Sequence, residues 1–283
     1  NEVFFTGART PADLVVGAPG VAPRASGLAP VLLFLSSCAM TPTLSPELRH
    51  EFAPTGVLRA GVNLGNPVIA QKDPGGGAPR GVGPDLARAL AESLGVGITY
   101  VTYDTAGKMA DAVKQGAWDV AMLADDPARA NEIAFSKPYV QIEGTYMVRK
   151  DSPLTRIDEF DRKGLRIAVG NKTAYDLYLT RTLKNAELVR GVTSLEAVKL
   201  MESDRSIDAV AGVKNPLMAI AAKDPGLRVI EGRFMVIGQA SGVPKGRDHA
   251  AKYLHDFIEE KKRSGFVADA LKRSGVTDAT VAP

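Results

Sequence analysis

One arginine, Arg129, is a candidate for binding an anion. Arg129 follows Asp126 and Pro127, which together favour the start of a helix, and the preceding residues 118–123 ("WDVAML") predict a buried strand. Ligands of open α/β sheets bind at the carboxyl ends of strands. A cation in the first turn of a helix opposes the helix dipole unless an anion lies beside it. The alternative is a surface ion pair between Arg129 and a neighbouring carboxylate, and the spacing alone leaves both interpretations open.

Residue types that bind metals or act as nucleophiles are scarce in this chain. It has one cysteine, Cys38, and three histidines that lie far apart, His50, His249 and His255. A single cysteine excludes an internal disulfide framework and a cysteine-rich zinc site. The glycines of residues 73–77 ("DPGGG") are not followed by Gly-Lys-Ser/Thr, so a hairpin turn is favoured over a phosphate-binding loop. We therefore expect neither a metal site nor a cofactor.

The elements that must position Arg129 follow an α/β pattern. From residue 56 onward, short apolar runs alternate with amphipathic segments, which is typical of a mostly parallel sheet flanked by helices. Strands are predicted over residues 57–64, 98–103, 118–123, 165–170, 186–191, 208–213 and 227–232. Helices are predicted over residues 84–95, 106–116, 173–184, 194–203, 215–223, 247–265 and 266–275. Two successive runs of similar size predict two lobes.

The charge balance bears on the partner. The chain of 283 residues has 35 Lys and Arg against 32 Asp and Glu, and the two signs are interspersed. No basic face is indicated, which argues against nucleic acid as a partner.

Residues 1–55 differ in kind from the rest. They are rich in Ala, Pro and Gly, and an apolar stretch from Leu28 to Met40 ("LAPVLLFLSSCAM") is too short to span a bilayer. With Arg24 before it and small residues at its end, the stretch has the order of a secretory signal, and Cys38 fits the acylated cysteine of a lipobox. We expect a periplasmic protein or a lipoprotein anchored through Cys38. The alternative is translation from Met40, which would leave the protein cytoplasmic.

Three segments carry a resemblance to a known family. They are "RGVGPDLARALAESLG", "GAWDVAMLADDPARANEIAFSKPYVQIEGTYMV" and "LRIAVGNKTAYDLYL". In this order they resemble the extracytoplasmic solute-binding proteins, family 3, of polar-amino-acid ABC importers, over about residues 54–276. The resemblance implies the type II periplasmic binding fold, with lobe 1 at 56–142 plus 238–283, lobe 2 at 143–237, and two crossover strands. It also implies a monomer that closes by a hinge near residues 142–145 and 236–240 and delivers its solute to a membrane permease.

The resemblance also assigns ligand-binding candidates. Arg129 matches the arginine that grips a ligand carboxylate through two N–H donors, and Met122 and Ala124 match strand-end positions whose backbone meets the ligand. Thr173 matches the threonine at a helix start that closes over the same carboxylate, although it can equally be only an N-cap. Asn66, in the loop after the first strand, and Tyr175, in the helix after Thr173, are further candidates.

The sequence departs from the family pattern at two places that concern the ligand's amino group and side chain. Val213 stands where family members commonly place an aspartate for the α-ammonium group, and no aromatic residue occupies the loop of residues 63–66. Both departures weaken the case for a standard α-amino acid. Glu143 or Asp125 could supply a substitute anion, and Glu143 could equally be a hinge residue.

Three function classes remain open. The order of the motifs favours a binding protein without catalytic activity. A dehydratase-like enzyme on the same fold is one alternative, and its acid–base group would have to be Asp125, Asp126 or Glu143, because no cysteine or histidine is expected in the cleft. A sensor module is the other alternative.

Overall fold

The computed structural model describes residues 44–277 and 279–283. The strands of this part of the chain are β1 (Val57–Asn63), β2 (Gly97–Tyr103), β3 (Val120–Ala124), β4 (Ile133–Phe135), β5 (Val140–Arg149), β6 (Arg166–Gly170), β7 (Glu187–Gly191), β8 (Ala209–Val213), β9 (Leu227–Val229), β10 (Met235–Pro244) and β11 (Thr280–Val281). The α-helices are α1 (Pro46–Phe52), α2 (Val82–Leu94), α3 (Ala106–Asp111), α4 (Ala174–Thr182), α5 (Ser194–Ser203), α6 (Lys214–Ala221), α7 (Asp248–Arg263) and α8 (Phe266–Arg273).

Two long antiparallel strands connect two parallel groups. The main path of the sheet runs β2-β1-β3-β10-β5-β8-β6-β7. β1 is parallel to β2 and β3, and β6 is parallel to β7 and β8. Between these groups, β10 and β5 are antiparallel, with Met235 opposite Gly144 and Gln239 opposite Val140. The predicted α/β class is confirmed. We call the group around β1–β3 lobe 1 and the group around β6–β8 lobe 2. The predicted boundaries between the lobes fall inside β5 and β10, and they stay a prediction.

Helix α2 shows how the apolar spacing builds the core of lobe 1. Leu86, Leu90 and Leu94 lie one helical turn apart and are fully buried, because this spacing places them on one face of the helix. Gly95 ends the helix in the left-handed conformation, with φ at 65°, which glycine adopts without steric cost.

The glycine-rich segment forms a turn. The carboxylate of Asp73 accepts hydrogen bonds from the N–H groups of Gly75 at 3.2 Å and Gly77 at 3.0 Å. Gln71 and Arg80 pair across the turn as an antiparallel bridge. The predicted hairpin turn is confirmed.

Helix α1 corrects the expected extent of the leader. Phe52 is fully buried, and its ring packs edge to face against that of Tyr253 on α7, with 5.9 Å between the ring centroids. Glu51 accepts a hydrogen bond from the N–H of Ala250 at the start of α7 at 2.7 Å. The folded body therefore begins before residue 56. The sequence pattern missed α1 because seven residues are too few to show a helical period.

The remaining predictions about the leader lie outside the described residues, since Cys38 and Met40 both belong to residues 1–43. In the part that the structure describes, no helix combines the length and the apolar character that crossing a membrane requires.

Candidate functional site

A cavity lies between the two lobes, beside crossover strand β10. Six of the eight ligand-binding candidates line it: Asn66, Met122, Ala124, Arg129, Thr173 and Tyr175. Ser194, Val213 and Gln239 line it as well. Met122 and Ala124 come from β3, Gln239 from a crossover strand, and Thr173 and Tyr175 from the start of α4. The cavity thus joins residues of both lobes.

The chain after β3 makes only a single turn before it enters β4. The carboxylate of Asp126 accepts the N–H of Ala128 at 2.8 Å, and its backbone carbonyl accepts the N–H of Arg129 at 2.9 Å. The predicted helix start is therefore present, but the helix itself is one 3-10 turn, Arg129–Asn131. A longer helix does not form, because Ile133 already pairs with Pro244 of β10.

Arg129 is a buried cation that bonds to both lobes. It is 6 % exposed, and its guanidinium donates to the carbonyl of Ala124 at 2.7 Å and to that of Lys172, in lobe 2, at 3.0 Å. Its Nε is buried and has no hydrogen-bond partner among the described residues. Burial lowers the pKa of Arg129 to about 10, because desolvation disfavours the charged form.

The acidic neighbours of Arg129 are not its ion-pair partners. Asp126 pairs with Arg181 of α4 at 2.9 Å, and Glu132 pairs with Lys114 at 3.5 Å. Within the described residues, no carboxylate lies within ion-pair distance of the Arg129 guanidinium. An anion from outside the chain would supply the missing charge.

Thr173 faces the cavity as the N-cap of α4. Its hydroxyl accepts the N–H of Asp176 at 3.2 Å and donates to the carbonyl of Gly170 at 2.8 Å. Its one hydroxyl proton is therefore already used. The first-turn N–H groups of Ala174 and Tyr175 have no acceptor among the described residues, so they are the donors that lobe 2 offers to an anion.

The other polar groups of the cavity wall differ in whether they have hydrogen-bond partners within the described residues. The hydroxyls of Tyr175 and Ser194 bond to each other at 2.7 Å. By contrast, Oδ1 of Asn66 is buried without a partner among the described residues. Gln239 is 5 % exposed on β10. Sequence reasoning missed Gln239; the available signal was a long polar side chain inside the otherwise mostly apolar run "FMVIGQASGV".

Two ligand-binding candidates lie away from the cavity lining. Glu143 accepts hydrogen bonds from Lys214 at 2.8 Å and from Arg233, and these cations hold the pKa of its carboxyl below the ordinary value. It thus ties lobe 2 to crossover strand β5. Asp125 has an exposed side chain, and partial desolvation raises its pKa.

The two lobes touch beside Arg129. Asp111 of α3 pairs with Lys172 of lobe 2 at 2.6 Å, and Asp126 pairs with Arg181. A Cβ added to Gly107 would lie 2.7 Å from Cβ of Lys172. This is a closed arrangement, in which no larger residue fits at Gly107 without movement.

The described residues contain no cluster of three or more His, Cys, Asp or Glu side chains that could hold a metal ion.

Comparison with known families decides the assignment. The model of the bacterial extracellular solute-binding proteins, family 3, matches residues 58–274. The chain belongs to this family. A family 3 solute-binding protein has the two-lobed type II periplasmic binding fold with two crossover strands, so the predicted fold is confirmed. Members are mainly solute-binding proteins without catalytic activity, and they work with ABC transporters outside the cytoplasm.

Solved structures share the fold of this family 3 protein. A mutant of ArgBP from T. maritima superposes with a TM-score of 0.69 at 23% identity, covering 81% of this chain and 100% of the other. A solute receptor for L-cysteine of Neisseria gonorrhoeae superposes with a TM-score of 0.69 at 22% identity, covering 80% of this chain and 92% of the other. The ancestral amino acid-binding protein AncCDT-1, a precursor of cyclohexadienyl dehydratase, superposes with a TM-score of 0.66 at 24% identity, covering 80% of this chain and 98% of the other. At these identities the likeness concerns the fold.

A comparison with curated proteins found no significant match.

Proposed function

We propose that this protein is the substrate-binding component of an ABC importer and that it binds a small carboxylate-bearing solute between its lobes. The observation that carries the proposal is the Arg129 guanidinium, which is buried in the cavity with no carboxylate partner among the described residues and an unbonded Nε. A carboxylate is the planar two-pronged acceptor that arginine binds best. The free N–H groups of Ala174 and Tyr175 would bind the same carboxylate from lobe 2.

The cavity lining favours binding over catalysis. General acid–base chemistry needs a histidine, a carboxylate or a similar group within reach of the reacting atoms. The described lining residues include no histidine, cysteine, aspartate or glutamate. We propose that the protein acts as a monomer, in the periplasm or anchored through Cys38, and releases its solute to a permease.

A thermal-shift screen of amino acids and organic acids tests this function. A ligand that binds only the folded state raises stability by about 2.7 kcal/mol at a hundredfold excess over Kd. We expect the stabilising compounds to be carboxylates. A screen in which only uncharged sugars or cations stabilise the protein would contradict the proposal.

Closure can be tested at Gly107. The substitution Gly107→Ala adds a methyl group 2.7 Å from Cβ of Lys172, so it should disfavour the closed form while leaving α3, where alanine is a good helix former, intact. We expect solute affinity to fall roughly three- to tenfold, because the binding-competent form is less populated. Calorimetric titration measures the affinity, and small-angle scattering with saturating solute should show a larger radius of gyration than in the wild type.

The matched control is Gly97→Ala. Its added Cβ would lie 3.8 Å from the nearest atom, in Val57, which is an ordinary contact away from the lobe junction. Equal affinities and scattering curves for all three proteins would contradict hinge closure at this contact.

A further inference from the structure

The cavity has one formal charge on its wall. Of the described residues that line it, only Arg129 is charged; the other polar side chains, such as Asn66, Ser194 and Gln239, are neutral. Glu143 and Asp125, which the sequence offered as substitute anions, do not line it. A solute group with a positive charge would therefore lie in a desolvated site without a counter-ion, which is unfavourable.

Two residues of the cavity wall, Arg129 and Asn66, each have a buried polar atom without a hydrogen-bond partner among the described residues. Nε of Arg129 is a donor and Oδ1 of Asn66 is an acceptor, and neither has a partner among the described residues. Leaving a buried polar atom unbonded is costly, so a fitting solute should satisfy both. The carboxylate satisfies the arginine, and a neutral O–H group satisfies the asparagine.

A second cavity adjoins the first and shares Gly65, Asn66, Tyr175, Ser194 and Val213 with it. Its remaining wall is apolar, formed by side chains that include Leu195, Val198, Pro216, Leu217 and Ile220. No charged side chain lines it among the described residues.

We infer that the solute is a hydroxy monocarboxylate with an apolar chain, and not a zwitterionic amino acid. The carboxylate lies on Arg129, the hydroxyl donates to Asn66, and the apolar chain lies in the second cavity. This inference rests on the proposed function and narrows its substrate class.

Calorimetric titration of the wild-type protein with matched probes tests the inference. L-2-Hydroxy-4-methylpentanoate and L-leucine share one carbon skeleton and differ only in a hydroxyl in place of the ammonium group. We expect the hydroxy acid to bind at least about tenfold more tightly than leucine, because burial of an unpaired ammonium group is costly. 4-Methylpentanoate, which lacks the hydroxyl donor, should bind more weakly than the hydroxy acid because Oδ1 of Asn66 stays unbonded.

Substitution at Val213 adds a second, independent readout. Val213, at the end of β8, lines both cavities, so Val213→Asp places a carboxylate beside the solute. We expect this variant to bind leucine more tightly and the hydroxy acid more weakly than the wild type does. Val192→Asp is the matched control, because Val192 is 58% exposed and lines neither cavity; its preference should equal that of the wild type.

The outcomes separate the inference from the proposed function. If wild-type protein binds leucine as tightly as the hydroxy acid, or if the screen finds that only dicarboxylates or other amino acids bind, the inference is overturned and the proposed function stands. If no carboxylate binds at all, both are overturned. An unchanged preference in Val213→Asp also overturns the inference.

Discussion

Replacing Arg129 with alanine is expected to weaken solute binding roughly tenfold to a few hundredfold, because charged hydrogen bonds contribute about 1.5 to 3 kcal/mol. The solute-free variant should melt near the wild-type temperature. Alanine removes the hydrogen bonds to Ala124 and Lys172, but it also removes a buried cation that has no ion-pair partner among the described residues. Arg129→Lys should weaken binding less than alanine does, since an ammonium group keeps the charge and loses the two-pronged geometry.

Titration calorimetry with the solute found in the screen measures these affinities. The control is Arg156→Ala, which removes an exposed arginine paired with Asp158 and should leave Kd unchanged. If Arg129→Ala bound the solute with the wild-type Kd, the carboxylate-binding role of this residue would be refuted.

The second large effect is expected on stability, at Asp119. This carboxylate is fully buried and accepts four hydrogen bonds, from the backbone N–H, Nε and one terminal nitrogen of Arg59 and from Arg247 at the start of α7. Asp119→Ala leaves two partly buried cations without their partner. We expect the free energy of unfolding to fall by about 3 kcal/mol, the lower end for a broken buried pair, because both arginines keep some contact with water.

Urea unfolding followed by circular dichroism measures this change, with the midpoint compared at constant slope. Asp158→Ala is the control, since its carboxylate pairs with Arg156 on an exposed surface and contributes little. A wild-type midpoint for Asp119→Ala would show that this carboxylate does not hold β1, β3 and α7 together.

The sequence predicted elements best where a regular period extends over several turns or strands. The helix over 194–203 has the predicted bounds, and the helix predicted over 84–95 is present as α2, at Val82–Leu94. The short helix α1 escaped because it is stabilised by contacts with α7, almost two hundred residues away in sequence. The helix start before Arg129 was predicted, but its length of one turn was not, because the pairing of β4 with β10 cannot be read from local spacing.

The residues of the candidate site also differ in whether the local sequence pattern could predict them. Arg129 was singled out from its position after a buried strand, which is local information, and the family resemblance then favoured an anion-binding role over a surface ion pair. Gln239 was missed, because its place in the cavity wall depends on which strands neighbour each other in the folded sheet, and this topology is absent from the local pattern. Glu143 was expected at the cleft or at the hinge, and its pairing with Lys214 and Arg233 supports the hinge interpretation.

The most direct measurement is a crystal structure of the protein with the solute that the screen identifies. We expect the solute between the lobes, with carboxylate oxygens about 2.7–3.0 Å from guanidinium nitrogens of Arg129 and close to the N–H groups of Ala174 and Tyr175. A solute bound elsewhere, or one bound in the cavity while its carboxylate faces away from Arg129, would contradict the account.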